Sequence, residues 1–149
     1  MEPHTGLKTK DYYRLIVPCG IIILLASLEI LAKAKDLEYF NYVNQSLQEA
    51  GNPNITYGDF VVSLMAAYVS RILVPVGLGL NSYYAYTKSG FTRIFVWSWG
   101  IFTFAALAFH VLTLELSSMF YYALIILYIL LLLFLTSLSD RIAAKRRGL

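Results

Sequence analysis

Long apolar runs alternate with short polar segments along this chain. The runs are Leu15–Ala32, Phe60–Leu80, Ile94–Leu114 and Met119–Leu138, of 18, 21, 21 and 20 residues. At about 1.5 Å of helix per residue, roughly 20 apolar residues cross a hydrocarbon core of ~30 Å. The pattern predicts an all-α fold, an integral membrane four-helix bundle with helices over about 13–33, 58–83, 92–114 and 118–139. A membrane β-barrel would need short alternating segments, and the sequence has none. Residues 1–149 read as a single transmembrane domain.

The segment from 34 to 57 has a pattern of its own. Leu37, Phe40, Val43 and Leu47 fall near helical spacing, and Gly51 suits the position after a helix end. A short amphipathic helix lying at the membrane surface is predicted there. Thr56 and Asp59 then have the spacing of a capping box that opens the second long helix. Asn44 and Asn54 each begin a glycosylation triplet. Tyr83, Tyr84, Tyr86, Trp97 and Trp99 suit an interfacial aromatic belt, as do Tyr12, Tyr13, Phe120, Tyr121 and Tyr122 at other helix ends. No internal repeat is visible, which argues against the inverted-repeat plan of larger transporters. The fourth run is nearly all Leu, Ile and Tyr, with few small residues. It is expected to be the most lipid-exposed helix, at the edge of the bundle.

Charge adds an orientation. Only 14% of residues are charged, against about 25% in a soluble domain. Lys8, Lys10, Arg14, Lys88, Arg93, Arg141, Lys145, Arg146 and Arg147 fall on one side of the predicted membrane, and only Lys33 and Lys35 on the other. Both termini are therefore expected in the cytoplasm of a multi-pass cell-membrane protein, with the 34–57 loop and a turn near Glu115 outside. The basic inner face suits anionic lipids. Topology accounts for it without nucleic acid. The first run contains Pro18 and Glu29 and is long for a cleaved leader, so it is expected to be retained. Cys19 is the only cysteine, which excludes an intrachain disulfide and reads as a small core residue beside Pro18.

The polar positions inside the runs are the candidate site. Ser63, Ala67, Ser70, Val74, Gly77 and Asn81 recur at spacings of 4 and 3 on helix two. Trp99, Thr103, Ala106, His110 and Thr113 do so on helix three. Such stripes predict a close helix–helix interface, or a polar-lined path. Arg71 lies near the middle of its run and cannot shed its proton. An arginine at the bilayer centre costs about 2.5–3.5 kcal/mol on insertion scales, so it needs a partner. Glu29, displaced outward in helix one, is the expected partner, with His110 and Glu115 in the same half. Pro75 withdraws the amide that would bond the carbonyl of Arg71, and Gly77 and Gly79 follow it, so a kink is expected here. Arg71, Glu29, His110, Ser70, Thr103 and Asn81 form the candidate ligand or ion site.

Metal-ligand spacings, phosphate-cradling loops and nucleophile elbows are absent from the sequence. No cofactor and no enzymatic activity are expected. The reading that follows is a small channel or transporter-like protein, acting as a homo-oligomer, with an outward-facing polar or anion site. A non-transporting accessory or regulatory subunit with a protein partner is the alternative. A lipid-modifying membrane enzyme using Arg71, Glu29 and His110 stands third. A four-helix plan of this length occurs in unrelated classes and assigns no function.

Overall fold

The computed structural model describes residues 9–113 and 118–146. The protein is all-α, with five α-helices: α1 (Thr9–Lys35), α2 (Leu37–Glu49), α3 (Tyr57–Tyr84), α4 (Arg93–Leu112) and α5 (Met119–Arg146). Four of them, all but α2, are long and apolar enough to cross a membrane. α1 starts four residues before the predicted boundary and α5 ends seven after it. Polar residues at the ends of an apolar run sustain helix as well as apolar ones, so hydropathy marks the span and not the helix end.

The caps are written in local chemistry. Thr56 accepts from the amide of Asp59, and Asp59 accepts from the amide of Thr56, closing the predicted capping box on α3. Asp36 caps α2 by accepting from the amide of Tyr39. At the other end of α2, Gly51 takes φ +80°. Its amide bonds to Gln48 O, and the amide of Asn52 bonds to Leu47 O. This is the paired closure that a left-handed glycine permits. Asn44 and Asn54, the triplet asparagines, both bind locally: Asn44 Oδ1 accepts from the amide of Ile55, and Asn54 from Gln48. A π-helical turn, Ala85–Ser89, extends α3 and ends at Gly90, φ +71°.

The helices pack in a pairing that the stripes did not predict. α1 lies against both α3 and α5, and α4 lies mainly against α5. α3 and α4 touch over a shorter length, and Ser63, Ser70 and Asn81 of the α3 stripe are exposed. The core runs through Leu15, Cys19, Ile22, Leu78, Leu124, Tyr128, Leu131 and Leu135. α5 is therefore central, not peripheral. Tyr121, Leu124, Tyr128, Leu131, Leu135 and Leu138 are buried at spacings of 3 and 4 along one face. Long side chains interdigitate there as ridges in grooves, and close backbone approach is not required. α2 lays Tyr39, Phe40 and Val43 on a second small core of Ile30, Phe60 and Leu64. Tyr83, Tyr84 and Trp97 are exposed, whereas Trp99 and Tyr121 turn inward.

The start of α1 and the last turns of α5 meet at the end of the bundle opposite α2. There Arg141 of α5 and Arg14 of α1 both bond Asp11. Tyr12 stacks on Tyr86 with ring centroids 4.7 Å apart.

Candidate functional site

α1 and α3 run antiparallel, and their shared seam carries a ladder of polar bonds. Tyr57 donates to the carbonyl of Ala34, one of the orphan acceptors at the end of α1. The hydroxyls of Ser27 and Tyr68 lie 2.9 Å apart, and Ser27 also donates to Ile23 O. One turn further along α3 comes the expected ion pair: Arg71 Nη1 donates to Glu29 Oε2 at 2.8 Å. Lys33, one helical turn along α1, donates to the other oxygen, Oε1, also at 2.8 Å. Glu29 is 1% exposed, Arg71 10% and Lys33 16% by side chain. A carboxylate this deep is stabilised only by such charge-assisted bonds on both oxygens.

Pro75 leaves the carbonyl of Arg71 without its helical donor. Tyr128 of α5 supplies a replacement, donating its hydroxyl to Arg71 O at 3.1 Å. α3 continues through Pro75 to Tyr84. Arg71 thus joins three helices, through its side chain to α1 and its backbone to α5. The glycines serve close approach. A Cβ on Gly77 would lie 2.7 Å from the Trp99 ring, so Gly77 is what admits Trp99 between α3 and α4. A Cβ on Gly79 would meet Ile16 at an ordinary 3.5 Å.

His110 comes to the same place. A small cavity of about 30 Å³ is bounded by Arg71, Ser70, His110 and Tyr128, with Ile22, Ala26 and Leu124 as apolar walls. It has room for one or two water molecules. The His110 ring packs 5.2 Å from Tyr121 and 6.4 Å from Tyr128, centroid to centroid. Its Nε2 lies 3.3 Å from Tyr121 O, and Tyr121 in turn donates to Val111 O at 3.0 Å.

A larger pocket, about 450 Å³, opens at the α2 end between the close of α1, the start of α2 and the start of α5. Glu29, Lys33, Asp36, Tyr39 and Ser118 provide its polar wall, and Met119 and Phe120 its apolar one. Lys33 Nζ sits 5.7 Å from the Tyr39 ring centre, within cation–π range. Glu29 belongs to this pocket and Arg71 to the small cavity, so their ion pair connects the two spaces.

No family model, curated protein or solved structure matches the chain.

Of the residues expected at the site, Arg71, Glu29, Ser70 and His110 come together. Asn81 does not: it is exposed, and its amide donates to Gly77 O on its own helix. Thr103 is fully buried, bounds neither space, and its hydroxyl has no hydrogen-bond partner among the described residues. Glu115 lies outside the described residues. Lys33 and Tyr128 were missed. Lys33 had a legible signal, since i to i+4 from an acid is the standard helical ion-pair spacing.

Proposed function

We propose that this chain is a multi-pass membrane protein of channel or transporter type, with its site in the pocket floored by Glu29 and Lys33. The carrying observation is that a 450 Å³ pocket reaches a 1% exposed carboxylate held by two cations. Ionisable groups inside membrane helices mark solute or proton paths by default, because their burial is costly. Lys33 stands in the pocket wall, where a small anion or polar solute would bind before reaching Arg71.

The nine basic residues on the side of the termini orient that end to the cytoplasm and α2 to the exterior. The pocket then faces outward. Leu15, Cys19, Ile22, Leu131 and Leu135 fill the bundle toward the termini, so passage requires a seam between copies. The uncovered α3 face with Ser63, Ala66 and Ser70 is where a second copy would pack. No enzymatic step is included.

A second reading rests on a different observation. The Arg71 side chain is held by Glu29 and its carbonyl by Tyr128. A lock of that kind also suits a subunit that binds a partner and transports nothing. Proteoliposomes separate the two. Wild-type protein should accelerate efflux of chloride, nitrate or acetate over protein-free vesicles, and folded Arg71→Ala protein should not. Equal efflux from wild-type and empty vesicles supports the non-transporting reading.

A further inference from the structure

The opposite end of the molecule carries a second, chemically different groove. It runs between α4 and α5, about 460 Å³ in volume, with Trp97, Gly100 and Phe104 on one wall and Leu132, Thr136 and Asp140 on the other. From Asp140 to Leu132 is eight residues, so the groove extends about 12 Å along the helices. Its walls are apolar but for Thr136, Ser139 and Asp140, which lie toward the C-terminal end of α5.

Asp140 is exposed and, among the described residues, makes no ion pair. Arg93 is likewise exposed and without one. Positions 93, 97, 100 and 104 are spaced by 4, 3 and 4, which places Arg93 on the groove face of α4, one turn beyond Trp97. It is also the first residue of α4, where the helix dipole favours a negative group. A cation and an anion therefore stand on facing helices at one end of an apolar channel, and neither satisfies the other. Trp97 is 66% exposed at the start of α4, and indole rings favour the membrane–water interface.

We propose that this groove holds a single phospholipid whose headgroup ends in a primary ammonium. An acyl chain lies between Phe104 and Leu132. The phosphate meets Arg93 and the first amides of α4, the Phe95 amide being already held by Thr92 Oγ1, and the ammonium donates to Asp140. A primary ammonium is specified because it can donate hydrogen bonds to a carboxylate; a quaternary one cannot. The site is separate from the Glu29 pocket and does not depend on how that pocket functions.

The test uses full-length protein in detergent, titrated with dioleoyl phosphatidylethanolamine and dioleoyl phosphatidylcholine and read by native mass spectrometry. The acyl chains are identical, so the headgroup decides. The ethanolamine lipid should bind about tenfold tighter, as expected of a hydrogen bond to a charged group. Asp140→Asn should abolish that preference. Arg93→Gln should weaken both lipids alike. A Cβ on Gly100 meets nothing within 4 Å, so position 100 has room for a side chain, and Gly100→Leu should fill the groove and expel both. Equal affinity of the two lipids for wild-type protein overturns the proposal. So does unchanged binding in Gly100→Leu protein. A protein dimer that Gly100→Leu dissociates, with lipid binding unaltered, would assign the groove to a second copy instead.

Discussion

The hydroxyl of Tyr128 lies 3.1 Å from the carbonyl oxygen of Arg71, the acceptor that Pro75 leaves without an amide donor. The proline, the charge and the tyrosine are therefore one structural unit. Replacing Tyr128 by Phe should cost about 1–2 kcal/mol, the desolvation cost of an unsatisfied buried carbonyl. Pro75→Ala restores the amide, so Tyr128→Phe should cost much less in that background. Unfolding in mixed micelles across the four proteins reads the coupling. Equal costs in both backgrounds would remove the link between proline and tyrosine.

The Glu29–Arg71 pair should behave as a buried bridge. Arg71→Ala alone leaves Glu29 with only part of its partners and should lose about 3–5 kcal/mol. The double variant Glu29→Gln, Arg71→Met should recover most of that loss. At the other end Asp11 is buried, but the Arg141 side chain is 46% exposed. Arg141→Gln should therefore cost no more than about 1 kcal/mol after solvent screening. A larger loss for Arg141→Gln than for Arg71→Ala would reverse this ranking.

The two glycines of α3 should separate sharply. Gly77→Ala drives a methyl to within 2.7 Å of the Trp99 ring. Overpacking of that kind costs about 1–3 kcal/mol. Gly79→Ala meets Ile16 at 3.5 Å and should leave the melting midpoint unchanged or raised. Equal midpoints for the two variants would show that Trp99 is not held by the missing side chain.

Much of this was legible in the sequence, and the omissions have a physical cause. Arg71 announces itself because a charge in hydrocarbon demands a partner, and Glu29 was the nearest acid in the same half. Thr56, Asp59 and Gly51 are readable because capping is local chemistry. The role of α5 was hidden. Nearly every position from Phe120 to Leu135 is apolar, so the buried face has no polar face to contrast with it. Tyr128 is one tyrosine of twelve, and its bond to Arg71 spans 57 residues. The stripes on helices two and three were real small-residue faces. Which neighbour each one meets depends on helix pairing, and the α1–α3 polar seam decides that.

Orientation has a direct check. Cys19 is buried, so the wild-type chain is a quiet background for thiol labelling. Gln45→Cys on the exposed face of α2 should react with a membrane-impermeant maleimide in intact cells. Asp140→Cys should react only after the membrane is opened. The reverse pattern would invert the topology and turn the Glu29 pocket toward the cytoplasm.

Lys33→Met tests the site most directly. It removes the pocket's cation while the Glu29–Arg71 bridge keeps α1 on α3. In proteoliposomes of Lys33→Met protein with wild-type helix content, anion efflux should fall to the level of protein-free vesicles. Efflux equal to that of the wild type would contradict a solute site at Glu29 and Lys33.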